Sequence, residues 1–221
     1  MKPKCKKYYR KDGSIEEERW YLNGKLHRVD GPAYVYYRED GSIKEEQWCL
    51  NYKFHKTDGP ALVYYNNDGD IESEHWYLNG NCHRSDGPAV IYYWKNGSII
   101  EERWYLNDEL HRTDGPALVF YRENGSIKRE EWYLNGNCHR TDGPAYVDYR
   151  EDGNIEEKIW YINYTYIIPE KHLIPTPKTE EKKIELINEI AFIKDGNGYV
   201  LIKEWLKRDK EFYDKYRVLF E

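Results

Sequence analysis

The chain has 221 residues, a net charge of −6 and a mean hydropathy of −1.00, with 23 Tyr and eight Trp against five Phe and one Met. No apolar stretch is long enough to span a bilayer, and the opening Met-Lys-Pro-Lys-Cys-Lys-Lys lacks the apolar core of a signal peptide, so a soluble, intracellular protein is expected. Charge is unevenly placed: residues 1–11 carry six basic and no acidic side chains, residues 12–163 carry 17 basic against 29 acidic (a balance of −12), and residues 164–221 carry 11 of each. That sign over the main body argues against a nucleic-acid binder and against an anionic membrane surface as the partner.

The first seven residues read as a basic leader that blunts an edge strand. Over residues 8–168 a 28-residue unit recurs six times without insertion or deletion, fixed by Trp20, Trp48, Trp76, Trp104, Trp132 and Trp160. Such a period means one supersecondary unit stacked on itself. In the second copy, Asp30-Gly31-Pro32-Ala33 leads into a short strand with Ala33, Val35 and Tyr37 on one face, and Glu39-Asp40-Gly41-Ser42 makes a hairpin turn. The chain returns through Ile43 to Leu50, with Glu46, Trp48 and Leu50 on one side and Ile43, Glu45 and Gln47 on the other. Gly13, Gly41, Gly69, Gly97, Gly125 and Gly153 mark that turn in every copy, each after Asp or Asn. A second turn carries Asn in every copy and Gly in three of them, at Gly24, Gly80 and Gly136, but Tyr52 and Asp108 replace the glycine, which predicts either strain or a different shape there. Pro32, Pro60, Pro88, Pro116 and Pro144 cannot donate to a ladder and mark the connection into the next hairpin. The predicted fold is mainly β: an elongated antiparallel β-hairpin repeat array, about 55 Å long for twelve strands, with Trp and Tyr ladders in place of a deep core.

The repeated Trp-Tyr-Leu-Asn-Gly-x-x-His-Arg-x-Asp-Gly-Pro-Ala, followed by an aromatic strand and an Asp-Gly turn, resembles the MORN repeat. The likeness is to its longer 28-residue variant, abundant in giant viruses of the Marseillevirus type. It covers about residues 8–166 and implies stacked hairpins that act as scaffolds or dimerising modules. Phosphoinositide binding, proposed for some members, is disfavoured by the charge of this array. If the protein is viral, the implied location is host cytoplasm or virus factory.

After the array, Pro169, Pro175 and Pro177 define a linker over 169–179, and residues 180–221 read as a helical cap. One helix is predicted over 180–193 and another from about Leu201, their apolar faces covering Ile159, Ile167 and Ile168. Between them Asp195, Asn197, Gly198 and Glu204 resemble an EF-hand calcium loop from its third position on. Ile193 stands where the first carboxylate ligand belongs, so a glycine-rich turn between helices or short strands is the preferred reading and no metal or cofactor is expected.

Copying also argues against an enzyme, because a reacting centre needs one acid or base in one pocket. His27, His55, His83, His111 and His139 would lie about 9.6 Å apart from copy to copy, too far for two ligands of one zinc. Each is expected to bond its own Arg and Asp. Glu18, Glu46, Glu74, Glu102 and Glu130 are expected to neutralise arginines across strands. Cys5, Cys49, Cys82 and Cys138 are expected to be free thiols, since equivalent positions two copies apart lie about 19 Å from one another, against a disulfide reach of about 7 Å between Cα atoms. The expected function is a non-enzymatic scaffold or protein-interaction module, with a homodimer through the last repeats or C-terminal segment, and a glycan-binding aromatic ladder as the alternative.

Overall fold

The computed structural model describes residues 2–162, 165–167, 192–195 and 198–201. Each copy contributes an entry strand and a return strand, laid down in chain order from Lys4–Tyr9 and Ile15–Leu22 to Tyr146–Tyr149 and Ile155–Ile162; with Lys25–Leu26 and the strands Thr165–Ile167, Phe192–Asp195 and Gly198–Leu201 they form one 16-stranded antiparallel sheet. The described residues contain no helix, so the architecture is the hairpin array that the period predicts.

Register is the same at every joint. Tyr34, Val35 and Tyr36 stand opposite Gln47, Glu46 and Glu45 of their own copy, and opposite Arg19, Glu18 and Glu17 of the preceding copy. A bulge then shifts the pairing by one, so that Tyr37 meets Ile43, and the same shift recurs in all six copies. A bulge bends and twists a strand where its extra residue leaves the ladder. Here it adjoins a compact turn in which Arg38 N–H donates to the Ser42 carbonyl at 2.8 Å, and Gly41, at φ +83°, supplies the positive dihedral that closes the loop.

The return strand does not run on through its tryptophan in copies two to five. It stops at Gln47, His75, Arg103 and Glu131, and the chain resumes beyond the Trp as a separate two-residue ladder, such as Cys49–Leu50 against Lys53–Phe54. Each copy is thus a long hairpin carrying a short arm. Neighbouring arms are stitched together by Arg28 N–H to the Cys49 carbonyl at 3.0 Å, repeated through Arg140 N–H to the Tyr161 carbonyl, and by Tyr52 N–H to the Leu26 carbonyl at 2.9 Å, repeated through Gly136 N–H to the Leu110 carbonyl.

The arm turns settle the alternative left by Tyr52 and Asp108. Asn51 and Tyr52 have φ of 53° and 69°, and Asn107 and Asp108 have 52° and 69°, close to the Asn23-Gly24 pair at 50° and 76°. The shape is unchanged, and two non-glycine residues hold it in the left-handed region. Each makes a bond that glycine could not: Tyr52 Oη donates to the Gly24 carbonyl at 2.7 Å, and Asp108 Oδ1 accepts the Cys82 N–H at 2.7 Å.

The buried set is narrow, as a thin array requires. Ala33, Ala61, Ala89, Ala117 and Ala145 are wholly buried, and Val35, Val63, Ile91, Val119 and Val147 lie beside them. Beyond the sixth copy, Thr165–Ile167 pairs with Ile155–Ile162, and Phe192–Asp195 and Gly198–Leu201 form a hairpin joined on through Tyr166 opposite Lys194. The end of the predicted first helix is therefore strand at Phe192 and Ile193. Leu201, where the second helix is predicted to begin, is likewise strand, and the remainder of both predicted helices lies outside the described residues.

Candidate functional site

The side chains that recur once per copy are the candidate site, and the structure gives each a partner. At the arm end, the guanidinium carbons of Arg28, Arg84, Arg112 and Arg140 lie over the rings of Trp20, Trp76, Trp104 and Trp132 at 4.1, 4.2, 3.8 and 3.9 Å. Behind each guanidinium is a glycine. A Cβ built on Gly31 would come within 2.5 Å of Arg28 Cζ, and one on Gly115 within 2.8 Å of Arg112 Cζ. The glycine of the Asp-Gly-Pro motif therefore serves close approach, not a left-handed turn. Each arginine is further held by the aspartate two residues on, Arg112 Nε to Asp114 Oδ1 at 2.9 Å, and by the proline carbonyl of the same motif, Arg112 Nη1 to Pro116 at 3.3 Å. The repeated Arg-x-Asp-Gly-Pro is thus one clamp: ring, guanidinium, peptide, with two hydrogen bonds at the rim. A desolvated cation on an indole face contributes about 1–2 kcal/mol.

The second copy departs from this. Lys56 lies over Trp48 at 4.0 Å, but its point charge has no fork to reach Asp58 and the Pro60 carbonyl together. A depression of about 370 Å³ opens beside it, lined by Arg28, Trp48, Leu50, Lys56 and Asp58 among others.

The histidine and glutamate ladders are used between copies, which corrects two sequence expectations. His27 Nδ1 accepts the N–H of Asn51 at 3.3 Å, and His55 and His111 accept Asn79 and Asn135 at 3.1 and 3.2 Å. The partner is the left-handed arm-turn asparagine of the next copy, not the histidine's own Arg and Asp. Among the described residues no group of three or more His, Cys, Asp or Glu is placed to hold a metal ion. Glu46, Glu74, Glu102 and Glu130 each accept the phenol of the tyrosine 19 residues on, Tyr65, Tyr93, Tyr121 and Tyr149, at 2.7–3.1 Å. Burial and that carboxylate hold Tyr65 and Tyr149 up near 12. Glu18, at the array's start, instead pairs with a cation, Lys7 at 2.8 Å.

No family model and no curated protein matches this chain.

The opposite face of the sheet carries the arginine pairs. Arg19 lies between Tyr8 and Tyr34 at 4.9 and 5.5 Å and bonds Glu17, while Arg129 lies between Phe120 and Tyr146 and bonds Asp148 through two nitrogens. His75 takes this position in the third copy, edge-on to Tyr64 and Tyr92. Burial, with Arg103 nearby, pulls its pKa down to about 4.

Cysteine chemistry is muted. Cys49, Cys82 and Cys138 are buried and unpaired with one another, and burial pushes their thiols up to about 11, 12 and 12. A thiol held that high is not a nucleophile at neutral pH. The calcium-like loop is divided: Asp195 and Gly198 face each other across the terminal hairpin, while Asn197 and Glu204 lie outside the described residues.

Sequence reasoning missed the outer turns. Arg10, Arg38 and Arg122 each reach from their turn to the carbonyl of the bulged tyrosine in the next copy, Tyr37, Tyr65 and Tyr149, and to the first return-strand carbonyl of their own copy. The third and fourth copies place Asn66 and Trp94 there instead. Trp94 is 36% exposed and, with Ile100 and Phe120, lines a depression of about 750 Å³ rimmed by Arg122, Glu123 and Lys128. The signal was present in the sequence as a broken arginine register at a position that the Trp and Gly ladders had overshadowed.

Proposed function

We propose that this chain is a non-enzymatic repeat scaffold, a protein-interaction module whose repeated residues hold copy to copy and whose exposed variable positions meet the partner. The observation that carries the reading is that the recurring polar groups are engaged in joints: Arg28, Arg84, Arg112 and Arg140 on Trp, His27, His55 and His111 with the next Asn, and Glu46, Glu74, Glu102 and Glu130 with the next Tyr. Groups occupied in this way hold a shape. Among the described residues these recurring groups serve packing, and the buried thiols of Cys49, Cys82 and Cys138 are held too high to act as nucleophiles at neutral pH. The MORN resemblance agrees with such a role, and self-association belongs to the same proposal.

Binding of an extended glycan to the tryptophans is less well supported. One face of each of the rings of Trp20, Trp48, Trp76, Trp104 and Trp132 is covered by an arginine or lysine, and the Nε1 atoms of Trp20 and Trp104 are buried. Stacking on a sugar would need those faces free. Among the described residues no helix is long and apolar enough to cross a membrane. Light scattering on the full chain, followed by pull-down from the native host, tests the proposal. Self-association or a saturable protein partner is the expected result. Retention on glycan or phosphoinositide surfaces that Trp76→Ala or Arg84→Ala abolishes, with no protein partner, overturns it.

A further inference from the structure

Every entry strand after the first lies between two return strands. Val90–Tyr93 is held by its own Ile99–Arg103 and by Ile71–His75 of the copy before, which sets His75, Glu74 and Ser73 opposite Val90, Ile91 and Tyr92. Among the described residues Lys4–Tyr9 has such a neighbour on one side only, Ile15–Leu22. The positions that correspond to Val90, Ile91 and Tyr92 are Lys6, Lys7 and Tyr8, so lysines stand where internal joints have apolar side chains.

We infer that this edge receives one extended acidic strand from a partner protein, added antiparallel in the register of a preceding return strand. Three observations converge on that occupant. Every internal joint already pairs an entry strand with a glutamate-bearing return strand, so backbone geometry at the first copy is that of a joint awaiting its other half. Lys7 Nζ bonds Glu18 at 2.8 Å while its side chain stays 44% exposed, which leaves ammonium protons for a second carboxylate placed opposite it. Beside the strand lies a cleft of about 720 Å³ lined by Lys2, Lys4, Lys6, Tyr21, Leu22 and Gly24, and the arm bonds of later joints, which fall on the counterparts of Tyr21 and Gly24, place the arm of a preceding copy there. An acidic strand followed by an aromatic residue fills both features. The same lysines act against a second copy of this edge, which would set ammonium opposite ammonium, and so give selectivity as well as attraction. β-Strand addition takes its affinity from main-chain hydrogen bonds and its specificity from alternate side chains.

This inference deepens the scaffold proposal and rests on it. Its test uses the full chain and a labelled nonapeptide with the sequence of residues 70–78, Asp-Ile-Glu-Ser-Glu-His-Trp-Tyr-Leu, which carries the three residues seen opposite Val90, Ile91 and Tyr92. Saturable binding by fluorescence anisotropy is expected, weakened roughly tenfold or more by N-methylation of alternate peptide nitrogens, by lysine in place of the three peptide carboxylates, and by Lys6→Glu with Lys7→Glu in the protein. Lys95→Glu, at a distant turn, is expected to leave it unchanged. Absence of saturable binding overturns the inference, as does equal binding of the N-methylated peptide, or equal binding by the Lys6→Glu/Lys7→Glu protein with its circular dichroism intact. A dimer that Lys7→Glu dissolves also overturns it, since a second copy then fills the edge. Any of these failures leaves the pull-down result, and with it the scaffold proposal, standing on its own.

Discussion

The two ends of each hairpin obey different rules. At the arm end, Trp, His, Asp, Gly and Pro recur in the first five copies, with only Lys56 breaking the arginine series, because each is enclosed by the next. At the turn end, the residue that reaches across to the next copy is Arg10, Arg38, Asn66, Trp94, Arg122 or Arg150, and the fold tolerates all of them. Enclosure explains the contrast. A guanidinium held between a ring and a peptide has one shape that fits, whereas a turn in solvent requires only its Asx bond and its positive φ. Variation in the residue that spans two copies is therefore tolerated at the turn end and, Lys56 apart, not at the arm end.

The sharpest way to break that comparison is at the arm end. Trp104→Ala is expected to cost about 3 kcal/mol, since it removes the ring beneath Arg112 and leaves Ala117 beside a void; urea denaturation of the full chain measures it. Gly115→Ala follows at about 2 kcal/mol, because the added Cβ meets Arg112 Cζ at 2.8 Å and drives the guanidinium off the indole. Gly59→Ala in the second copy is expected to cost clearly less, since the nearest atom is the mobile Lys56 Nζ at 3.1 Å. At the turn end, Gly97→Ala meets nothing within 4 Å and brings only its φ of +83°, about 1 kcal/mol. If Gly97→Ala proves costlier than Gly115→Ala, the distinction between enclosed and open ends fails.

Acid titration sharpens the same contrast within the sheet. His75 folds as the neutral ring, its pKa lowered from 6.5 to about 4 by burial between Tyr64 and Tyr92, with Arg103 adding to the effect. Its contribution is complete above about pH 6.5 and is lost as pH falls through about 4. The melting temperature should decline across that window, and His75→Gln should flatten the decline while leaving the fall below pH 4, where Asp30, Asp86 and Asp114 lose their charge, in place. The smallest expected effect is Tyr52→Phe, which removes one exposed bond to the Gly24 carbonyl and should change stability by about 0.5 kcal/mol.

The array was legible in the chain alone: the 28-residue period, the two turns and their left-handed residues, and the alternation that places Ala33, Val35 and Tyr37 on one face of the entry strand. These follow from dihedral limits and from a side-chain period of two, both local properties of the chain. Only the tertiary structure decided which repeated polar group meets which. Nothing local tells a histidine that its donor is the asparagine N–H 24 residues on, or a glutamate that its donor is a tyrosine 19 residues on; those pairs exist because stacking brings neighbouring copies into register. The glycine of Asp-Gly-Pro is the clearest instance, since its sequence context reads as a turn, and only the guanidinium packed against it shows that the missing Cβ is what the clamp requires.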